Sequence, residues 1–321
     1  MSAANVLVDP SQFPENVKLS LLVSMRSRKI NHKFHYDSYK QAQKWLALHQ
    51  AYSPARNDAD CDRIYDEAFR NAVQGRHNNI HVIGLGCGGG QKEARLLKLL
   101  KETGATVDYS PCDVSLALVL TARGVTSELF NERNCWPVVC DLAEAEDLAA
   151  LFRQTGATRI VTFFGMIPNF EPDVILPKLR SVLRPEDILL FSANLAPGEN
   201  YTDGVRKILP QYDNELTKEW LMTLLLDSGV ERSDGEVVFG IEEINRYQRV
   251  VANFQFQTSR EIRLGDERVR FNAGEQIQLF FSYRYQPSHI VAMLTEQRIG
   301  VLESWVTDSG EEGVFLCRAQ T

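Results

Sequence analysis

The chain is 321 residues long, 44% hydrophobic and 24% charged, with a formal net charge of −7, the profile of a globular protein with room for one large domain or two smaller ones. The opening MSAANVLVDPSQFPENVK has no apolar leader core, and no apolar run approaches the length of a membrane span, so a cytoplasmic protein with no membrane contact is expected. The acidic balance and the lack of a long basic block argue against a general nucleic-acid binder, and six cysteines (Cys61, Cys87, Cys112, Cys135, Cys140, Cys317) without a C-x-x-C pair fit reduced, buried thiols better than disulfides or a metal site.

From about residue 78 to 193 strand-like and helix-like segments alternate. Residues 81–95 read HVIGLGCGGGQKEAR: an apolar run enters five glycines (Gly84, Gly86, Gly88, Gly89, Gly90) and leaves as a helix. Glycine serves where the backbone must turn with positive φ and approach a ligand, and the helix that follows turns its N–H groups toward the occupant. The spacing Gly84-x-Gly86-x-x-Gly89 fits a dinucleotide, with Asp108 standing where the ribose acid of NAD is expected; it fits S-adenosylmethionine equally. Further strands are expected at ATVDYSPCDV, CWPVVCDL, RIVTFFGM and DILLFSA, with helical spacing in KEARLLKLLKET and LAEAEDLAALFRQT. Strands alternating with helices imply a parallel sheet that binds its ligand beyond the carboxyl ends of the strands.

After Leu195 the character changes. APGENYTDG reads as a loop, NELTKEWLMTLLLDSG as a helix, and EIRLGDERVRFNAGEQIQLFFSYRY as a hairpin or meander turning at Gly265-Asp266 and Asn272-Ala273-Gly274. A helix near 287–297 is followed by VLESWVT and VFLCRA, two strands joined by the tight turn DSGEEG. A parallel sheet finishing in an antiparallel hairpin is the usual ending of class I methyltransferases and is not standard for NAD dehydrogenases, which favours S-adenosylmethionine. Asp108, lying inside its strand rather than at the end, is the weaker ribose candidate.

The segments KFHYD (33–37), AYSPAR (51–56), LGCGGGQKEARLL (85–97), PCDVS (111–115), CDL (140–142), FFGMIPNFEP (163–172), QYDNELT (211–217), AGEQIQLFFSYRY (273–285) and ESWVTDSG (303–310), taken in this order, resemble the histidine Nα-methyltransferases of ergothioneine biosynthesis and their relatives, including the fungal dimethylallyltryptophan N-methyltransferases. The resemblance implies a class I α/β methyltransferase core of Rossmann type ending in an antiparallel hairpin, with an inserted α+β substrate-binding domain: 1–196 as an N-terminal helical segment plus core, 197–286 as the substrate domain, and 287–321 as the return to the sheet. It implies S-adenosylmethionine as the cofactor, held by Gly84, Gly86, Gly88 and Lys92 at the turn, by Asp113 on the ribose hydroxyls and by Asp141 on the adenine amine. Carboxylates suit both tasks because they accept two hydroxyl protons or an exocyclic N–H. Asp113 has a second reading as a helix N-cap before DVSLAL. Many class I methyltransferases carry an acid where Gly84 stands, so another group must hold the cofactor's ammonium.

For the substrate the resemblance points to Tyr36, Tyr52, Asn169 and Tyr212, with Asn169, Tyr212 and Tyr52 nearest the chemistry, and to Phe280 and Ser282 around the side chain. Histidine-specific members have a glutamate at the position of Phe280, where it pairs with the imidazole. A phenyl ring cannot accept the imidazole N–H, and burying that donor unpaired costs on the order of 1–3 kcal/mol. The expected reaction is therefore methyl transfer from S-adenosylmethionine to the amino group of an amino acid or amine with an apolar or aromatic side chain, the only expected partner being this small molecule. Two alternatives stand beside it: an NAD(P)-dependent oxidoreductase, and a catalytically diverged protein that keeps the cofactor fold.

Overall fold

The computed structural model describes residues 5–52, 58–76, 78–130, 132–154 and 156–320. A short strand β1 (Leu7–Val8) precedes helices α1 (Pro14–Ser27) and α2 (Tyr39–Tyr52). Then come α3 (Ala59–Val73), β2 (Ile80–Leu85), α4 (Gln91–Glu102), β3 (Val107–Asp113), α5 (Leu116–Thr126), β4 (Val138–Val139), β5 (Thr158–Phe164), α6 (Pro172–Val182) and β6 (Ile188–Asn194). Helices α7 (Tyr201–Ile208) and α8 (Glu215–Asp227) lead to β7 (Gly235–Ile244), β8 (Tyr247–Phe256), β9 (Arg260–Leu264), β10 (Glu267–Phe271) and β11 (Gln276–Arg284), followed by α9 (Pro287–Glu296), β12 (Ile299–Val306) and β13 (Glu312–Ala319).

Eight strands form one sheet in the order β1-β4-β3-β2-β5-β6-β13-β12. The first six run parallel, and β13 enters antiparallel to both β6 and β12. The terminal hairpin expected from VLESWVT and VFLCRA is thus present, with its second strand inside the sheet. Alternation along each strand divides the core in two. Ile83, Val161, Leu189 and Phe191 pack with Ile175 and Leu179 of α6 and Ile290 and Leu294 of α9. Val82, Ile160 and Leu190 pack on the opposite side with Ile64 and Phe69 of α3 and Leu96 and Leu100 of α4.

A second antiparallel sheet, β11-β8-β7, and the hairpin β9-β10 share a cluster with α8 built on Trp220, Leu221, Phe254, Phe256, Phe271 and Ile277. The N-terminal segment, grouped with the core in the sequence reading, divides between the two sheets. Leu7 and Val8 pair with Val138 and Val139 of β4, whereas Met25, Ile30 and Phe34 enter the small-sheet cluster and the Ile30 N–H donates to the Gln278 carbonyl at 2.8 Å.

One expected helix is absent. Of LAEAEDLAALFRQT, residues 142–154 fold as turns and a single 3-10 turn, Ala149–Leu151, and Thr155 lies outside the described residues. The Asp141 carboxylate accepts the Ala143 N–H at 2.9 Å and Asp147 accepts that of Ala150 at 3.1 Å. These local side-chain acceptors compete with the helical ladder, while Leu142, Ala145, Leu148 and Phe152 still reach the core.

Candidate active site

The carboxyl ends of β2, β3, β4, β5 and β6 face the small sheet, α2 and α8 across a cleft of about 1080 Å³. Every site residue that the resemblance implies lines this cleft except Gly84, which lies at its back within β2.

The glycine turn forms one wall. Gly86 and Gly88 have φ of +68° and +52°, a region that L side chains avoid. A Cβ on Gly86 would run into the Met166 side chain, and one on Gly88 would meet Trp45 at 2.9 Å, so the turn packs against these two side chains only as glycine. Asp113, at the last position of β3, accepts the Gly88 N–H at 3.0 Å and the Ser115 N–H at 3.1 Å. Burial lifts its carboxyl to about 6. The N-cap of α5 is Ser115, whose hydroxyl accepts from Leu118, and Asp113 lines the cleft. Asp108 lies at the opposite end of β3, beside His81, and does not line the cleft.

Asp141 follows β4 and is 5% exposed. Its Oδ1 is occupied by the Ala143 amide, while its Oδ2 has no hydrogen-bond partner among the described residues and stands 3.6 Å from the Lys33 ammonium. A buried carboxylate oxygen left open in a cleft is an acceptor awaiting a donor. Lys92, in the first turn of α4, donates to the Tyr65 hydroxyl at 2.5 Å and stands 3.8 Å from Glu312. A turn without Cβ atoms, a carboxylate at the end of the second parallel strand and an open acceptor after the next strand fit a nucleoside with an amino-acid arm.

On the other wall, β11 presents Phe280, Ser282 and Arg284 to the cleft in alternation. Arg284 donates to the Tyr212 hydroxyl at 2.8 Å, and Tyr212 donates to Ser282 Oγ at 2.8 Å. Arg284 is 5% exposed, its Nε has no hydrogen-bond partner, and no carboxylate of the described residues lies within ion-pair distance. A buried guanidinium without a counter-ion is costly unless a ligand supplies one. Asn169, in the 3-10 turn after β5, commits its Nδ2 to the Phe281 carbonyl at 2.8 Å, which leaves its Oδ1 as an acceptor. Phe280 packs against Tyr212, Trp220 and His32 at ring distances of 6.0, 5.7 and 5.1 Å. Burial holds His32 neutral, down to about 3.

Tyr36 lies between Trp45 and Trp220. It lines the cleft, and burial, reinforced by the Asp113 charge, raises its phenol pKa. Tyr52, at the end of α2, is 55% exposed at the rim; the rest of the AYSPAR segment from Ser53 lies outside the described residues. Sequence reasoning missed Arg284, Trp45, Trp220 and Glu93. Strand alternation could have found Arg284, two residues beyond Ser282.

The strand order with an antiparallel β13, the glycine turn and the paired acids Asp113 and Asp141 define a class I S-adenosylmethionine-dependent methyltransferase. Residues 15–319 match the family model described as histidine-specific methyltransferase, SAM-dependent, and the chain belongs to that family. It is 23% identical over 274 residues to N-methyltransferase imqF of Aspergillus flavus, covering 82% of this chain and 73% of the relative. It is 25% identical over 279 residues to the histidine N-alpha-methyltransferase of Mycobacterium tuberculosis, covering 83% and 82%. Among solved structures, the 1,6-didemethyltoxoflavin-N1-methyltransferase of Burkholderia thailandensis, with 1,6-didemethyltoxoflavin and S-adenosylhomocysteine bound, superposes with a TM-score of 0.43 at 12% identity, covering 88% of this chain and 89% of the other.

Proposed function

We propose that this methyltransferase acts on the amino nitrogen of an α-amino acid whose side chain is apolar or aromatic rather than imidazole. The observation that carries this reading is the chain Arg284–Tyr212–Ser282 beside Phe280 in one cleft wall. A guanidinium without a counter-ion matches the substrate carboxylate, and the phenyl ring stands where an imidazole-binding enzyme needs an acceptor.

S-adenosylmethionine, when bound, supplies a methyl group on a sulfonium. The protein's part is positioning and exclusion of water. Asn169 Oδ1 accepts from the substrate amine and orients its lone pair. The aromatic wall of Phe280, Trp220 and Tyr36, together with the Arg284 cation, disfavours an ammonium and so favours the neutral nucleophile. Segments 14–52 and 197–286 provide the substrate side, and the large sheet provides the cofactor side.

The test is transfer of labelled methyl from S-adenosylmethionine to a panel of amino acids and their decarboxylated amines, with products identified by mass spectrometry. The reading expects turnover with an aromatic or aliphatic amino acid, weak turnover with the matching amine, and little with histidine. Efficient methylation of histidine by the unaltered protein would sink the side-chain assignment.

A further inference from the structure

Gly84 leaves the end of β2 without a side chain, so no acid is available there for the ammonium of the cofactor's methionine arm. Glu93, in the first turn of α4, stands beside the gap: a methyl group placed on Gly84 would lie 3.4 Å from Glu93 Cγ and 3.5 Å from its Oε1. The residue is 3% exposed yet lines the cleft. Its carboxylate accepts from the Thr162 hydroxyl of β5 at 2.9 Å, and no cation of the described residues lies within ion-pair distance of it.

The other acids of the cleft each have a cation, a backbone amide or another donor beside them. Asp113 takes the Gly88 and Ser115 amides, and Asp141 faces Lys33. Glu312 takes the Tyr65 hydroxyl at 2.6 Å and faces Lys92. Asp62 and Asp66 pair with Arg95, and Glu311 accepts from Gln211. Among the buried carboxylates of the cleft, Glu93, Asp113, Asp141 and Glu312, Glu93 alone has neither a cationic partner nor a backbone amide from another residue. We infer that Glu93 holds the ammonium of the S-adenosylmethionine methionine arm, the acid having moved from strand β2 to helix α4. The site needs a cation there because a buried carboxylate is stable in its charged form only when paired. Burial, above all, pushes its carboxyl up to about 7, and an arriving ammonium restores the charged form.

A merely structural role, tying α4 to β5 through Thr162, predicts a different experiment. Binding is measured by titration calorimetry with three ligands: S-adenosylhomocysteine, its deaminated analogue lacking only the ammonium, and 5′-methylthioadenosine lacking the whole arm. The unaltered protein should prefer S-adenosylhomocysteine over the deaminated analogue by about tenfold to a hundredfold, the scale of one charge-assisted hydrogen bond. Glu93→Gln, which keeps the Thr162 contact and the shape, should bring the two affinities within about threefold and leave 5′-methylthioadenosine unchanged. Gly84→Glu combined with Glu93→Thr should recover the preference by returning the acid to β2. Full discrimination retained in Glu93→Gln overturns the inference. So does a lack of discrimination by the unaltered protein, a result that needs no variant to fold. The inference rests on the cofactor assignment: failure of all three ligands to bind the unaltered protein would remove both, whereas tight binding with unchanged preference in Glu93→Gln counts against Glu93 alone.

Discussion

Gly88 and Asp113 hold each other: the Gly88 N–H donates to Asp113 Oδ2 at 3.0 Å, fastening the glycine turn to the end of β3 with the carboxylate in the cleft. Preorganisation of this kind means that the site does not have to reorient its acceptor on binding. Asp113→Ala should therefore weaken S-adenosylhomocysteine binding by about 1.5–3 kcal/mol, the scale of a hydrogen bond to a charged group. Titration calorimetry on a variant with an unchanged circular dichroism spectrum checks this; equal affinity would reject the ribose assignment.

The same burial sets a pH dependence. Asp113 is lifted to about 6 and Glu93 to about 7, in both cases first by desolvation. An acid with a raised pKa binds its proton more tightly folded than unfolded, so it contributes stability at low pH that is lost as the pH rises through about 6–7. A bound nucleoside with ribose hydroxyls and an ammonium favours the ionised forms and offsets that loss. The rise in melting temperature given by S-adenosylhomocysteine should be larger at pH 8 than at pH 5.5. Its affinity should drop by about tenfold or more across that interval, because a group required in ionised form costs tenfold per unit below its pKa. A flat profile would contradict the role of both acids.

For the substrate wall, Arg284→Met should raise KM for a carboxylate-bearing substrate by about tenfold to a hundredfold, as expected when one partner of a charge-assisted pair is removed. Tyr212→Phe, which loses the hydroxyl linking Arg284 to Ser282, should act in the same direction with a smaller effect. Neither should change S-adenosylhomocysteine affinity by more than about threefold. Steady-state kinetics with an amino acid and its decarboxylated amine separate the effects, and an equal loss for both would argue against a carboxylate site.

Phe280→Glu should improve binding of histidine and weaken that of the apolar substrate. The carboxylate supplies an acceptor for the imidazole N–H, and it is costly to bury beside a hydrocarbon. Competition assays with histidine, tryptophan, tyrosine and phenylalanine on both proteins provide the comparison; an unaltered ranking would show that Phe280 does not read the side chain.

Much of this was legible because it rests on short-range patterns. The alternation of strand-like runs with helix-like segments and the glycine turn between Ile80 and Asn194, and the hairpin after residue 300, follow from local chain geometry, and Asp113 was recognisable at its strand end. What escaped depends on contacts distant in sequence. The Met25, Ile30 and Phe34 side chains go to the small sheet because Trp220 and Phe254 complete their cluster, a pairing that no window of neighbouring residues reveals. The segment 142–155 carries helical spacing, yet Asp141 and Asp147 capture the amides that a helix would use. Glu93 reads as an ordinary first-turn acid until Gly84 is seen beside it.

The placement of β13 has a bearing on how the molecule comes into being. Its pairing partner β6 is made long before it, and the whole small sheet is synthesised between the two. Until β13 leaves the ribosome, β6 presents an unpaired edge, the kind of exposure that invites association with other chains during folding. Glu312, the first residue of β13, is also the group that meets Tyr65 and Lys92 beside the cofactor cleft. A nascent chain therefore lacks both its finished sheet and a carboxylate that lines the cleft, and the same strand supplies the two.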